Sequence, residues 1–300
     1  MMIRARGALA VQMVLLVSMA IWGLNITLVK QLTSALDPST IAMLRMLVAS
    51  ATLVSIWLVR RPARVRLDRR QWAGLAACAF LMVYLNQIFF TEGMVRTSAT
   101  NGALLMALGP LVSALLAALA FRERLGWVRL CGVALGFGGV AVIILGHSGA
   151  RLAVMGVGDL LVIAGVFSFS CGGVLIQGIA RRLDALTISS IIYALGALML
   201  IGHAGFLGAG YDGVLPDSVW LWFLIVFSGA VSTAIVNLIW NNAIARIGVA
   251  RAAVFLYWVP VFGAAFAALL LGEHLGWNHL AGLVAVMVGT YLGTRPRKPG

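Results

Sequence analysis

Apolar runs of about 18–24 residues follow one another along this chain, separated by short polar stretches. That is the length a helix needs to cross ~30 Å of hydrocarbon. Inside lipid every backbone N–H and C=O must be satisfied within its own segment, so each run is constrained to be helical. The short alternating segments of an outer-membrane barrel are absent. The runs predict an all-α integral membrane protein with ten transmembrane helices, at 9–29, 39–59, 72–91, 97–121, 128–146, 157–177, 187–207, 219–241, 248–271 and 277–294. Composition agrees: 62% of residues are hydrophobic and 10% charged, against roughly 45–50% and 25% in soluble domains. Asp37-Pro38, Arg61-Pro62 and Pro216-Asp217 punctuate the connections. The first run, Ala8 to Val29, follows Arg4 and Arg6 but outlasts a signal-peptide core, and is read as an uncleaved first span.

The net charge of +13 is distributed by side. With the N-terminus inside and sides alternating, inner segments collect eighteen Lys and Arg, from Arg4 to Lys298. Outer segments collect three, Lys30, Arg96 and Arg151, and Arg45 stays within the second helix. This bias predicts a multi-pass inner-membrane protein with both termini in the cytoplasm. The basic balance therefore sets orientation and does not point to nucleic acid, which would call for a basic patch with interleaved aromatics.

The chain also repeats. Shifted by 150 residues, Arg96 meets Arg246, Pro110 meets Pro260, Glu123 meets Glu273, and Leu125-Gly126-Trp127 meets Leu275-Gly276-Trp277. Over 93–139 against 243–289 fourteen positions match without gaps. Two units follow, 9–146 and 157–294, each of five helices. An odd number makes the second unit enter the membrane upside down, which predicts two inverted five-helix repeats around a central cavity, the architecture of alternating access.

These residues resemble a known family. Leu108-Gly-Pro-Leu through Phe121-Arg-Glu-Arg-Leu-Gly-Trp, echoed by Trp258-Val-Pro-Val through Leu271-Gly-Glu-His-Leu-Gly-Trp, looks like the paired EamA domains of the drug/metabolite transporter superfamily. Trp22-Gly23 and Arg45 also look like its pattern. The resemblance implies ten helices, both termini inside, and export of amino acids or related metabolites. It also implies a Trp-bearing helix at the start of the second repeat, where this chain reads Phe167-Ser168-Phe169-Ser170-Cys171. A smaller, more polar wall that includes Ser170 is expected there.

Pro110 and Pro260 fall near the middle of the fourth and ninth runs, where each frees the carbonyl four residues earlier, that of Met106 or Leu256. Freed carbonyls at membrane depth are tolerated where protein or a water-filled cavity satisfies them, so a pair of cavity-flanking hinges is expected. Polar residues gather at helical spacing: Ser18, Trp22 and Asn25; Tyr84, Gln87 and Thr91; Thr233, Asn237, Trp240 and Asn241. Tyr257 and Trp258 stand just before Pro260. Such faces suit an amphiphilic guest, and interhelical hydrogen bonding is the competing explanation. The expected substrate-binding set is thus Trp22, Asn25, Arg45, Tyr84, Gln87, Met106, Pro110, Ser170, Asn237, Trp240, Asn241, Tyr257, Trp258 and Pro260. Arg45 either snorkels to the outer interface or lines the pathway, where it would meet a carboxylate.

Carboxylates are confined to helix ends, among them Glu92, Glu123, Asp159 and Glu273, where capping and loop order explain them. A cation exporter would want a buried acid, so a neutral or zwitterionic substrate is favoured. No nucleotide-binding Gly-Lys loop occurs, and Cys78, Cys131, Cys171 and the four histidines show no metal spacing. The expectation is a secondary transporter, not an enzyme, exporting small polar metabolites, amino acids first. It carries no cofactor or metal, partners a small-molecule substrate and the lipid bilayer, and works as a monomer. Carriage of nucleotide-sugars or phosphorylated metabolites is the alternative, and a non-catalytic structural membrane protein the alternative of another class. Cysteine placed at Asp212 should be labelled from the periplasm by an impermeant maleimide, and cysteine at Arg66 should not; the reverse pattern would invert the topology.

Overall fold

The structure is a computed structural model that describes residues 2–62, 67–120, 127–145, 156–179, 183–206, 215–247 and 254–294. The described residues are helical, apart from short links. In chain order they form α1 (Met2–Leu32), α2 (Pro38–Arg60), α3 (Arg69–Arg96), α4 (Ala99–Met106), α5 (Gly109–Ala120) and α6 (Trp127–Leu145). Then come α7 (Val157–Ile179), α8 (Ala185–Phe206), α9 (219–247), a 3-10 turn at Val254–Tyr257, α10 (Trp258–Leu271) and α11 (Trp277–Thr294). Among the described residues six helices are long and apolar enough to cross a membrane, drawn from α1, α2, α3, α7, α8 and α9.

Local chemistry sets the helix ends. Asp37 caps α2 by accepting the Thr40 amide at 3.0 Å, with Pro38 opening the helix. Arg61, at φ 43°, closes it in the left-handed region and returns its N–H to the Trp57 carbonyl. Asp68 and Gln71 form a reciprocal capping box ahead of α3.

Two of the expected spans are broken. The run 97–121 is two helices, because Ala107 and Leu108 turn back to the carbonyls of Leu104 and Leu105 before α5 starts at Gly109. The run 248–271 resolves into the 3-10 turn followed by α10, its first residues 248–253 lying outside the described set. Pro110 and Pro260 therefore sit in the first turn of a new helix, where a missing N–H costs nothing, rather than inside a continuous one. A second departure was not anticipated. α3 and α9 each carry a π-helical stretch, Ala79–Leu85 and Phe227–Ile235, which fall on nearly the same positions once the chain is shifted by 150. Each widens one turn and rotates the residues beyond it relative to regular helical spacing.

The packing is exchanged between the two halves of the chain. α1 lies along α10, and α7 along α5 and α4; α7 also packs on α3, and α1 on α9. α2 pairs with α8, and α6 with α11. The α6–α11 pair is drawn together by glycine. A Cβ on Gly289 would stand 2.4 Å from the Gly136 nitrogen and 2.6 Å from the Gly132 carbonyl, so only hydrogen fits. This is the close approach that G-x-x-x-G spacing permits in membranes. The outer surface is apolar: Leu58, Val59, Leu119, Trp127, Val219, Leu269 and Trp277 are all exposed, as suits contact with lipid. Gly289→Val should therefore lower the thermal midpoint in detergent by the equivalent of about 1–3 kcal/mol or more. Gly138→Val, where a Cβ meets nothing within 4 Å, should leave it unchanged. Equal effects of the two would sink the close-approach account.

Candidate functional site: a central cavity around Arg45

A cavity of ≈ 190 Å³ lies among α1, α2, α3, α4, α5, α7, α8, α9, the turn before α10 and the start of α10. Among the described residues its walls carry one charged side chain, Arg45, and no carboxylate. Arg45 is 2% exposed, so it does not snorkel. Its Nε donates to Ser228 Oγ at 2.6 Å, Nη1 to Gln87 Oε1 at 3.0 Å and Nη2 to Thr233 Oγ1 at 3.4 Å. Ser228 in turn donates to Asn25 Oδ1. Three of the five guanidinium N–H groups are thus committed to neutral oxygens. Among the described residues none offers it a carboxylate.

The π stretch of α9 builds this arrangement. Ser228 and Thr233 sit five residues apart within it, and Thr233 Oγ1 donates to the Ser228 carbonyl at 2.8 Å. Both hydroxyls thereby reach the same guanidinium. Gly229 lies between them, where a Cβ would stand 2.7 Å from the Arg45 carbonyl; its absence lets α2 approach. The same stretch exposes the Ser232 carbonyl, which accepts from Trp22 Nε1 at 2.9 Å. Trp22 meets Trp240 with ring centroids 5.7 Å apart, giving the cavity an aromatic wall.

The other half repeats the device with a smaller side chain. Ser168 Oγ of α7 donates to the Leu81 carbonyl, inside the π stretch of α3, at 2.6 Å. Ser168 thus bonds a carbonyl of the π stretch from α7 as Trp22 does from α1, and Phe169, Ser170 and Gly173 line the cavity wall beside it.

Of the residues singled out from sequence, Trp22, Asn25, Arg45, Gln87, Met106, Ser170, Asn237 and Trp240 line the cavity, with Leu256 beside them. Others lie elsewhere. Tyr84 hydrogen-bonds His203 Nδ1 at 2.8 Å and points away from Gln87, because the π stretch ending at Leu85 breaks the spacing that put them on one face. Asn241 donates to Ser189 Oγ at 2.9 Å, an interhelical bond one turn beyond the lining residue Asn237. Trp258 is half-exposed and packs on Phe262, centroids 5.9 Å apart. Pro260 is buried beside the lining residue Val259 without lining the cavity itself. The side chains of Pro110 and Tyr257 lie outside the described residues; Gly109, next to Pro110, lines the wall. Sequence reasoning missed Ser228, Ser232, Asn86 and Tyr193. The first two were hidden by the π geometry, and Tyr193 by the α2–α8 pairing that aims it at Arg45.

Multi-pass helices with exchanged packing around a cavity that holds one buried cation describe a membrane carrier, and the comparisons with known proteins agree. The chain belongs to the EamA-like transporter family, which matches it twice, over residues 9–145 and 156–295. It is 29% identical to a probable amino-acid metabolite efflux pump of Escherichia coli, over 99% of this chain and 98% of that protein. It is 28% identical to a probable terminal-alkyne amino-acid exporter of Streptantibioticus cattleyicolor, over 85% and 86%. An uncharacterized transporter of Archaeoglobus fulgidus is 26% identical over 95% and 98%. A solved crystal structure superposes with a TM-score of 0.68 at 19% identity, covering 95% of this chain and 98% of that one, a likeness of fold. The family and these relatives indicate a transporter rather than an enzyme.

Ser228 joins Arg45 to Asn25, so Ser228→Ala should leave a buried cation short of an acceptor. A loss of about 1–3 kcal/mol in stability is expected, read as a lower unfolding midpoint in detergent. An unchanged midpoint would show that Arg45 does not depend on this bond.

Proposed function

We propose that this protein is a secondary carrier that exports small polar metabolites bearing a carboxylate, amino acids first. It works by alternating access across the inner membrane, with both termini in the cytoplasm and ten spanning helices in two inverted halves. The observation that carries this reading is Arg45: a buried guanidinium bonded to neutral oxygens, facing a cavity whose described lining holds no carboxylate. A fixed cation in a low-dielectric cavity selects a guest that supplies the missing negative charge. One arginine matches one carboxylate. Nucleotide-sugars or phosphorylated metabolites would carry more charge than this cavity can balance.

The rest of the wall complements the rest of an amino acid. Asn25, Asn86, Gln87 and Asn237 offer carbonyl oxygens and amide donors to an ammonium or other polar group, and Trp22, Trp240, Phe90 and Phe169 offer an apolar face to a side chain. Two of the relatives above are named for amino-acid metabolites and for an amino acid, which supports the same substrate class.

Arg45→Gln preserves bulk and removes the charge. In proteoliposomes it should abolish transport of carboxylate-bearing substrates while the corresponding amides still move. Equal transport of both by the variant would remove carboxylate recognition from this site.

A further inference from the structure

α4 is a helix of eight residues, Ala99–Met106, with extended backbone at Ser98 ahead of it and a tight 3-10-type turn at 107–108 behind it. Thr97 and Ser98 join it to α3, and Ala107 and Leu108 join it to α5. A short rigid rod between two breaks can swing without unfolding its neighbours. It lies beside the cavity: Met106 at one end lines the wall, while Ala99 at the other belongs to the same apolar cluster as Met94 and Val162.

Three charged side chains, each from a different element, hold the Ala99 end of this rod. The Glu273 carboxylate accepts the Ala99 amide at 2.9 Å through Oε1 and the Thr100 amide at 2.8 Å through Oε2. Those amides belong to the first turn of α4, where free N–H groups and the helix dipole favour an anion. Glu273 is delivered there by Gly272, whose φ of +67° turns the chain sharply after α10. The Lys30 ammonium, on the last turn of α1, donates to the carbonyls of Met94 at 2.8 Å and Thr97 at 2.6 Å. Its charge also attracts that of Glu273 across the junction. Asp159, in the first turn of α7 and buried, accepts from Thr97 Oγ1 and from Asn101 Nδ2. The remaining charges nearby, Arg96 and Glu92, pair with each other on the outer face.

The packing under these tethers is not fully satisfied. Thr27 Oγ1, Thr100 Oγ1 and Asn101 Oδ1 are buried without partners. Such orphaned oxygens weigh against the closed arrangement and offset part of what the charged bonds contribute, so the balance between closed and open is finely set. The cavity also lies away from the latched end. Along α7 its lining runs from Val166 to Val174, beginning seven residues past Asp159, about 10 Å along the axis.

We propose that α4 is a movable gate at this end of the cavity and that Glu273, Lys30 and Asp159 latch it shut, with the Glu273 carboxylate on the Ala99 and Thr100 amides as the release point. Opening exchanges those bonds for water and lets the rod tilt about its 107–108 break, which connects the cavity to the membrane face on which α1 and α10 end.

The test reads accessibility rather than transport, so it stands or falls apart from the substrate assigned above. In the full chain in membranes, with Cys78, Cys131 and Cys171 replaced by alanine, Ser113→Cys places a reporter on the cavity wall. An impermeant maleimide applied from the latch side should label it slowly. Glu273→Gln, and separately Lys30→Met, should raise that rate about tenfold, as expected for loss of a charged hydrogen bond. A cysteine pair from Ala99→Cys and Glu273→Cys should cross-link on oxidation and stop labelling from that side, with a reductant restoring it. Unchanged rates in both charge variants would overturn the proposal. So would a pair that fails to cross-link, or an oxidised pair labelled as fast as the reduced one. If Glu273→Gln does not reach the membrane, the cysteine pair decides alone.

Discussion

A permanent cation in a hydrocarbon slab needs oxygen around it. Arginine at the centre of a spanning helix costs about 2.5 kcal/mol or more on insertion scales, and that demand organises the middle of this protein. Arg45 is answered by Gln87 of α3 and by Ser228 and Thr233 of α9, with Asn25 of α1 behind Ser228. Four helices from both halves of the chain are thereby held in one register. The constraint reaches the backbone: α9 leaves α-helical geometry so that two hydroxyls face one guanidinium, and Gly229 gives up a side chain so that α2 can come close.

Around this fixed point the molecule divides into parts that stay together and parts that can shift. α6 and α11 meet through glycine backbones with no room for a Cβ, a contact that can slide very little without clashing. The elements on the cavity differ. α4, α5 and α10 are interrupted rods, and α3 and α9 carry π turns. Interruptions free carbonyls, and here the freed groups face polar side chains or the cavity, as the absence of water in lipid requires. The same features serve solvation and motion, since a broken rod can pivot where a continuous one must bend.

Much of this was legible in the chain. Run length gives the membrane-length helices without any tertiary information, because bilayer thickness acts on each segment separately. The matched pair Pro110 and Pro260 pointed to Met106 and Leu256, and both line the cavity. The inference missed the local form: α5 begins one residue ahead of Pro110, and a 3-10 turn gives way to α-helix two residues ahead of Pro260, because a proline is accommodated more cheaply in a first turn than in mid-helix. Tyr84 shows where regular spacing fails: it sits at a helical interval from the lining residue Gln87 and turns away to His203, whereas Asn241 keeps its spacing from Asn237 and is taken up by Ser189 one turn beyond it. Periodicity reports a face only while the helix keeps 3.6 residues per turn, and α3 does not.

Sequence alone determined that this chain lives in a membrane, that it repeats itself, and that one arginine lies inside a span, since these follow from hydropathy, charge and self-similarity read segment by segment. Tertiary structure alone decided what surrounds that arginine. Ser228 and Thr233 reach it from residues more than 180 positions away. Ser168 bonds the Leu81 carbonyl 87 residues earlier, and Glu273 caps a helix 174 residues earlier in the chain. Each contact depends on which helices pack together and at what rotation, and no local pattern carries that information.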